Sequence, residues 1–416
     1  MANQTKEKNY RICSQSVMDT EGTEIEFDDN GVSQYVPKFL ADLGYLPKTD
    51  AERDAQLRRY VRQIKKAGTG KKYDCIVGMS GGVDSTYVAY IAKNLGLRPL
   101  AVHVDNGWNS ELAVCNIENA VKKLGIDLYT HVIDWPSFRD LQVSFLNASV
   151  SDAEMPSDHA NRAVLMKMAA KHKVRYSLTG RNLKTEGILG SNWSYGNLDW
   201  KYIKSIHRQF GSRKLRGYPH CGLVEMLYYV SVLKITDVPI LNFVPYTKNE
   251  ALQTMKNELG YREYEAKHYE SIYTRFFQSY ILPKKFRIDK RKAHLSVLIL
   301  TGQMTREEAL QILKEPPYDE EKIGEEREFV VKKLGLTMGE FEEIMSLPIK
   351  RYTDYPNNSK YLLFNKNKKM LAFVRALKML HIFPKEFAAR AVNQDEGAST
   401  LSTSNRPGSE CLLSNG

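Results

Sequence analysis

The chain has few cysteines, and none of them stands in a closely spaced pair. The five thiols, Cys13, Cys75, Cys115, Cys221 and Cys411, are scattered along the sequence. A disulfide framework uses an even set of cysteines, and zinc sites usually bring their thiols in C-x-x-C pairs. We therefore expect reduced thiols, no disulfide and no zinc site.

Hydrophobic runs long enough to cross a bilayer are also missing. A membrane-spanning helix needs about 20 predominantly apolar residues, and no stretch of the chain approaches that length. The opening sequence, Met-Ala-Asn-Gln-Thr-Lys-Glu-Lys, lacks the apolar region of a secretory signal. We expect a cytoplasmic protein without a membrane partner.

Length and charge narrow the possible partners. The 416 residues, 42% of them hydrophobic, suffice for two or three domains with cores of their own. The formal net charge of +11 indicates an anionic ligand, such as a nucleotide, a nucleotide sugar or RNA. A solvated basic surface explains the same charge. Because no nucleic-acid-binding motif is present, we expect no nucleic acid partner.

A glycine-rich turn follows a short apolar run. Residues 73–86 read Tyr-Asp-Cys-Ile-Val-Gly-Met-Ser-Gly-Gly-Val-Asp-Ser-Thr. The turn lacks both the Gly-Lys-Ser/Thr ending of a Walker A loop and the Gly-x-Gly-x-x-Gly spacing of dinucleotide-binding turns. Its glycines allow close backbone approach to a ligand, and amide groups at the start of a helix favour an anion. The stretch predicts a strand, a phosphate-binding loop and a helix. A tight turn that binds no ligand would have a similar sequence.

Apolar runs alternate with helical stretches through the middle of the chain. The runs cover residues 74–78, 99–104, 128–133 and 174–179, and a further strand is predicted at 239–246. This rhythm predicts an α/β fold with a doubly wound parallel sheet. A helix should follow from Asn249 to Leu259, and His103, inside a strand, should be a core residue.

Ligands of such sheets bind beyond the carboxyl ends of the strands. The strand ends and the loop together give the predicted nucleotide contacts: Gly78, Met79, Ser80, Gly81, Gly82, Val83, Asp84, Ser85, Val104, Asp105, Asn106 and Gly180. Ordinary turn chemistry also explains Asp105 and Asn106. The long polar loop after residue 179 offers Glu186 as a Mg²⁺ ligand or orienting carboxylate, and Asn182, Lys184 and Trp193 as substrate contacts.

The flanking regions differ in composition from this central domain. Residues 1–47 carry a hairpin signal and predict a small β appendage, and the central domain should span 48–260. Residues 261–392 predict a helical region whose Tyr, Lys and Arg residues suit a base or sugar beside a diphosphate, although solvated charge explains them as well. Residues 393–416 predict a disordered tail.

The hexapeptide Ser80-Gly-Gly-Val-Asp-Ser85 resembles the pyrophosphate loop of the N-type ATP pyrophosphatases, which include GMP, NAD and asparagine synthetases. The resemblance implies a Rossmann-like PP-loop domain that uses ATP and Mg²⁺ and splits ATP between its α- and β-phosphates. Ser80, Gly82 and Ser85 would then bind pyrophosphate, and Asp84 would bind Mg²⁺.

A narrower resemblance rests on residues 11–20, 27–31, 179–187, 267–276 and 282–291, and especially on Lys-His-Tyr-Glu-Ser-Ile-Tyr-Thr-Arg-Phe and Leu-Pro-Lys-Lys-Phe-Arg-Ile-Asp-Lys-Arg. These segments are similar to the N-acetyl sugar amidotransferases of bacterial lipopolysaccharide and O-antigen synthesis. The resemblance implies that an acetamido group of a nucleotide-activated diacetamido sugar becomes an acetamidino group, with release of AMP and PPi. It implies catalytic roles for Asp84, Glu186 and Lys267. The implied substrate contacts are His268, Tyr269, Arg275, Lys284, Lys285, Arg291 and Lys292, with Asn182, Lys184 and Trp193.

One departure from that family lies near the N-terminus. Paired cysteines are usual there, but only Cys13 is kept, and Ser16, Ser33 and Val36 stand where the others are expected. A structural zinc takes four ligands, so we expect no metal there and an appendage held by packing alone.

The last predictions concern the source of ammonia and the alternative functions of the chain. No glutaminase signature is present, and Ala2 offers no N-terminal thiol, so we expect a separate glutaminase subunit, with a channel-forming subunit as a further candidate. The alternatives are a tRNA-modifying enzyme that adenylates a base and an ATP-binding regulator without catalytic activity. Steeply salt-dependent RNA binding would favour the first. Absence of PPi release with any acceptor would favour the second.

Overall fold

Five short parallel strands form the sheet around which the chain folds. The structure, a computed structural model, describes residues 10–264 and 270–359. The strands are β1 (Cys75–Gly78), β2 (Pro99–Asp105), β3 (Asp127–Val132), β4 (Tyr176–Thr179) and β5 (Thr236–Pro239), in the spatial order β3-β2-β1-β4-β5. In register, Ile76 lies opposite Leu100 of β2 and Ser177 of β4. The predicted doubly wound parallel sheet is confirmed.

Helices cover both faces of the sheet and make up most of the rest of the molecule. Up to residue 210 they are α1 (Tyr35–Leu43), α2 (Asp50–Ala67), α3 (Val83–Asn94), α4 (Glu111–Leu124), α5 (Trp135–Asn147), α6 (Met155–Lys171), α7 (Leu183–Glu186) and α8 (Trp200–Phe210). They continue with α9 (Leu223–Leu227), α10 (Lys248–Leu259), α11 (Ile272–Phe276), α12 (Lys290–Leu300), α13 (Arg306–Ile312), α14 (Ile323–Leu334) and α15 (Met338–Ser346). Tyr228–Val232 and Phe277–Phe286 are π-helical, and Ile240–Phe243 and Tyr352–Asp354 are 3₁₀-helical.

The side chains of β1 separate two apolar layers. Cys75 and Val77 face a cluster with residues of α3, α4 and α10, whereas Ile76 faces a cluster with residues of α6 and α9. This division follows from the two-residue period of a strand, which sends successive side chains to opposite faces. Because helices cover both faces, the strand is apolar on both sides, as the sequence indicated.

The fifth strand lies earlier in the chain than predicted, so the prediction of a strand over 239–246 was wrong. β5 stops at Pro239, which pairs with Thr179, the last residue of β4. Beyond that point β5 has no neighbouring strand, and residues 240–243 turn into a 3₁₀-helix. The apolar side chains of this stretch are buried, but in a helical turn and not in the sheet. The following helix, α10, is as predicted and is capped by Thr247 and Gly260.

The N-terminal segment is less β-like than expected. Within its described part, residues 10–47, extended pairing is limited to two isolated antiparallel bridges, Ile12 with Asp19 and Phe27 with Ser33, and α1 follows them. The expectation that packing alone holds this segment is wrong. Lys292 forms an ion pair of 2.5 Å with the buried Asp19, and Arg306 donates to two main-chain carbonyls of the segment.

The four positions at which the resemblance led us to expect cysteines come together in the fold. Cys13, Ser16, Ser33 and Val36 are all buried. The Cys13 Sγ accepts the backbone N–H of Ser33 at 3.3 Å. Burial opposes ionisation of this thiol, but hydrogen bonds with Ser16 and Ser33 outweigh burial and lower its pKa. A thiol and two hydroxyls thus form a polar cluster at these positions.

The helices after residue 270 are not packed as an isolated unit. Tyr273, Phe276 and Phe341 share one apolar core with residues of α5 and α8 and with Phe39 of α1. The helical character predicted for this region is confirmed for its described residues between 270 and 359. The predicted tail lies outside the described residues. None of the helices that the structure describes combines the length and the apolar character of a membrane span.

Candidate active site

The loop between β1 and α3 has the shape that anion binding requires. Gly81 has φ +83°, a conformation that favours glycine, and a Cβ there would lie 2.6 Å from the carbonyl oxygen of Ala113. Gly82 is the N-cap of α3 and makes no side-chain cap, so the first turn of the helix opens onto the loop. The unpaired N–H groups of a helix start and the helix dipole both attract a negative charge.

Two serine hydroxyls lie inside this loop and contact its backbone. The Ser80 Oγ accepts the Gly82 N–H at 3.2 Å, and the Ser85 Oγ accepts the Ser80 N–H at 3.2 Å. The two hydroxyl oxygens are 3.0 Å apart. N–H groups and hydroxyls therefore converge on one small volume, where phosphate oxygens could accept hydrogen bonds from both kinds of donor.

The end of β4 reaches the same place from the neighbouring strand. A Cβ at Gly180 would lie 2.9 Å from the Cβ of Asp84, so glycine allows this close approach. The chain order reverses between β1 and β4, and this is where open α/β sheets bind their ligands. Gly180 and Asp84, which the sequence placed in one site, are brought together.

A tyrosine that the sequence reasoning missed joins this group. The Tyr246 hydroxyl donates to the Asp84 carboxylate, and burial, followed by the Asp84 and Glu186 charges, raises the Tyr246 pKa far above its ordinary value. Tyr246 stays a neutral donor in consequence. The charges of Asp84 and Glu186 thus both act on Tyr246, and their carboxylate oxygens are the type of ligand that Mg²⁺ prefers.

The end of β2 shows turn geometry. The Asp105 Oδ1 accepts the Gly107 N–H at 2.9 Å, and the Asn106 Oδ1 accepts the Trp108 N–H at 3.1 Å. These are the self-contained turns offered as the alternative explanation of both residues. His103 is buried and bonds to the Met79 carbonyl, as expected of a core residue.

A chain segment from beyond α10 returns to the loop, which the sequence did not predict. The hydroxyls of Tyr261 and Tyr264 both donate to the carbonyl of Gly81, at 3.1 and 3.0 Å. A Cβ at Gly82 would lie 3.2 Å from a carboxylate oxygen of Glu270. The region predicted to bind substrate therefore begins directly on the phosphate loop.

A cavity of about 930 Å³ opens beside this segment. Four predicted site residues line it: Glu186, Trp193, Arg275 and Arg291. Its other charged lining residues are Lys248, Asp289, Lys290, Asp319, Lys322, Glu325 and Glu326, with His294 beside them, and its apolar walls include Ile188, Leu189, Ile272, Ala293 and Phe329. A cavity of this volume can hold a small organic ligand, and its many charged lining residues suit a polar one.

Several cationic side chains of the cavity have acidic partners. Arg275 pairs with Glu326 at 2.8 Å, Arg291 with Asp289 at 2.7 Å, and Lys290 with Glu154 at 3.1 Å. These pairs hold the cations at the wall of the cavity. A phosphate entering here would meet guanidinium and ammonium groups that are already oriented, which reduces the entropic cost of binding.

Other predicted substrate residues have different partners. The Lys292 ammonium is bound to Asp19, and the Lys285 ammonium donates to main-chain carbonyls at the end of α15, while burial lowers its pKa to about 8. Lys284 is exposed and lies 5.5 Å from the ring centre of Tyr318, which lines the cavity. Asn182 is buried and caps α7, and Lys184 is exposed on that helix. Lys267, His268 and Tyr269 lie outside the described residues.

Comparisons with known proteins agree with this organisation. Residues 52–211 match the NAD synthase family model, and residues 270–370 match the model described as LPS biosynthesis protein WbpG-like, C-terminal domain. A curated relative, an uncharacterized protein of Methanocaldococcus jannaschii, is 29% identical over 133 residues, which cover 31% of this chain and 44% of the relative. The chain therefore spans less than half the length of that relative.

Two solved structures match parts of the chain at low sequence identity. An NH3-dependent NAD synthetase from Campylobacter jejuni, in complex with the nitrate ion, is 16% identical with a TM-score of 0.27, covering 51% of this chain and 86% of that one. An NMN synthetase from Francisella tularensis is 14% identical with a TM-score of 0.30, covering 70% of this chain and 98% of that one.

Proposed function

We propose that this chain, which combines an N-type ATP pyrophosphatase domain with a WbpG-like C-terminal domain, converts an acetamido group of a nucleotide-activated diacetamido sugar into an acetamidino group for lipopolysaccharide O-antigen synthesis. The observation that carries the proposal is the position of Glu186. This carboxylate lines the 930 Å³ cavity and also acts electrostatically on Tyr246, which holds Asp84 of the phosphate loop. This supports a role for Glu186 between the proposed ATP site and the cavity.

The reaction follows from the chemistry of an amide. The amide oxygen attacks the α-phosphorus of ATP, the bond to the β-phosphate oxygen breaks, and pyrophosphate leaves. Ammonia then adds to the imidate carbon and loses a proton, and AMP departs with the former amide oxygen. Adenylation is needed because an amide oxygen is otherwise a very poor leaving group.

The residues of the loop would act mainly by holding the departing pyrophosphate. The N–H groups and hydroxyls of Ser80, Gly82 and Ser85 would bind β- and γ-phosphate oxygens, which stabilises the charge that develops there. Asp84 and Glu186 would hold Mg²⁺, whose charge assists departure of pyrophosphate. Arg275 and Arg291 would bind the phosphate or diphosphate of the sugar nucleotide and orient the acetamido group.

The proposal includes partners that supply ammonia. A separate glutaminase subunit, with a channel-forming subunit as a further candidate, would deliver it in the cytoplasm. If the purified chain alone used glutamine as efficiently as ammonium salts, a separate glutaminase would not be needed, and this part of the proposal would fail.

A direct assay tests the reaction. The purified chain is incubated with ATP, Mg²⁺, ammonium and either UDP- or CMP-linked diacetamido sugars. We expect AMP and PPi in equal amounts, together with a sugar product lighter by about one mass unit, since oxygen is replaced by an NH group. Absence of AMP and PPi with every sugar tested would remove the main support of the proposal.

A further inference from the structure

Two tyrosines outside the phosphate loop contact one of its carbonyl groups. The Tyr261 and Tyr264 hydroxyls donate to the Gly81 oxygen at 3.1 and 3.0 Å, and the two rings pack edge to face with centres 6.2 Å apart. Two donors on a single loop carbonyl is an arrangement that the ATP chemistry described above does not use. These two hydrogen bonds therefore need a separate explanation.

Because the peptide bond is planar, the position of the Gly81 carbonyl fixes the direction of the Gly82 N–H. In a trans peptide the C=O of Gly81 and the N–H of Gly82 point in opposite directions. Because two hydroxyls hold the carbonyl on the outer side of the loop, the Gly82 N–H is directed to the inner side, where it donates to Ser80 Oγ at 3.2 Å. A rotated peptide would instead present a carbonyl oxygen to the phosphates and repel them.

The tyrosines are themselves fixed from a third element. The side-chain amide of Asn116, buried in α4, donates to the Arg262 carbonyl at 2.9 Å and accepts the Arg262 N–H at 2.9 Å. Asn116 therefore holds the backbone between the two tyrosines. Ala113, also in α4, packs against Gly81, so α4 supports the loop directly and through the tyrosines.

The hydroxyls are suited to remain donors. Burial raises the pKa of Tyr264 to about 12, and burial, followed by the neighbouring Tyr264, raises that of Tyr261 further. Both are therefore protonated at any physiological pH. A phenol held neutral can donate to the carbonyl without placing a negative charge beside the phosphates.

We propose that Tyr261 and Tyr264 are positioning residues that orient the Gly81–Gly82 peptide so that its N–H binds the β- and γ-phosphates of ATP. This inference rests on the proposed use of ATP at the loop. In this proposal the first residues of the substrate region have a role in the ATP site, and that role depends on both hydroxyls.

The test measures phosphate binding separately from catalysis. Calorimetry with Mg²⁺ and either ATP or inorganic pyrophosphate is applied to the wild type, to Tyr261→Phe, to Tyr264→Phe and to the double variant. Phenylalanine keeps the ring packing and removes only the hydroxyl. Because the double variant leaves the Gly81 carbonyl without either of its hydroxyl donors, we expect it to bind both ligands about tenfold or more weakly.

The single variants and a control make the result specific. Each single variant keeps one donor, so we expect less than about threefold weakening, and the double variant should lose more than the product of the singles. The KM for ATP should rise in step, while the KM for the nucleotide sugar stays unchanged. Tyr228→Phe, a half-exposed tyrosine beyond α9, should behave as wild type.

Each outcome has a definite meaning. If the wild type binds ATP and pyrophosphate and the double variant binds them equally well, the inference is overturned, because the hydroxyls then serve only folding. If the double variant does not fold, the single variants decide by the same comparison. If the wild type binds neither ligand, the proposed function itself fails, and the tyrosines have no phosphate to serve.

Discussion

The phosphate loop and the cavity beside it are neighbours, but they are built in opposite ways. The loop takes its hydroxyls and N–H groups from six consecutive residues, 80–85. The cavity takes its lining from five separate stretches between residues 185 and 329. The loop is a local structure that tertiary contacts refine, whereas the cavity exists only because distant helices meet.

The charges of the two regions differ in the same way. In the loop, backbone N–H groups and two hydroxyls provide the attraction for an anion, and these groups carry no net charge. In the cavity, cations such as Arg275 and Arg291 are paired with carboxylates before any ligand arrives. A local motif can thus be read from the sequence, whereas the availability of a charge depends on partners that only the fold supplies.

The largest effect is expected for a substitution in the phosphate loop. Asp84→Asn removes a charge that we propose holds Mg²⁺, so kcat for AMP formation should fall at least about a hundredfold. AMP release in the presence of the sugar measures it. Asp105→Asn is the matched control, because an amide oxygen can still accept the Gly107 N–H that Asp105 binds in its turn. An equal loss in both variants would contradict the distinction between a site residue and a turn residue.

The next prediction tests whether Lys292 stabilises the fold or binds the substrate. Lys292→Met leaves the buried Asp19 without its cation, which should lower the free energy of unfolding by about 3 kcal/mol. Denaturant unfolding measures this loss, and adding Asp19→Asn should restore part of it. A raised KM for the nucleotide sugar at unchanged stability would instead place Lys292 in the substrate site.

A pH effect on stability is expected at a buried carboxyl group, that of Asp152. Asp152 accepts hydrogen bonds from Tyr195 N–H and Tyr202, next to the loop that carries Trp193, and burial raises its pKa to about 6. Its neutral form is favoured in the folded state. Its contribution to stability is therefore full below about pH 4, the ordinary pKa of aspartate, and is lost as the pH rises through 6.

Asp152→Asn tests this sign, because the amide is neutral at every pH. Between pH 4 and 7 the free energy of unfolding of the variant, relative to wild type, should rise by about 2 to 3 kcal/mol. Unfolding curves at four pH values measure it. A difference that stays constant with pH, or that changes in the opposite direction, would show that Asp152 is not favoured as the neutral acid.

The smallest effect probes the cavity itself. Arg275→Gln should raise the KM for the nucleotide sugar about tenfold, the effect of losing one charge-assisted hydrogen bond, and leave the KM for ATP unchanged. Glu326→Gln is the control, since it removes the partner of Arg275 and keeps the cation. If both variants raise the KM equally, Arg275 acts only through its ion pair, and the cavity binds the sugar in another way.

Much of the fold could be predicted because strands and loops leave local patterns. The first four strands, the phosphate loop and α10 follow from apolar runs and from caps such as Thr247 and Gly260. The fifth strand was misplaced because the apolar run after Pro239 is buried in either conformation. The end of β4 decides where β5 loses its partner, and no pattern in residues 239–246 records it.

The candidate site likewise has one part that local sequence determines and another that only the fold determines. The sequence by itself determined a loop that exposes N–H groups and hydroxyls, since glycine and serine at fixed spacing dictate that local geometry. The tertiary structure decided which side chains support and face that loop. Tyr246, Tyr261 and Tyr264 reach it from more than 150 residues away, and Lys292 is drawn instead to Asp19, because long-range packing, which no local spacing encodes, sets those contacts.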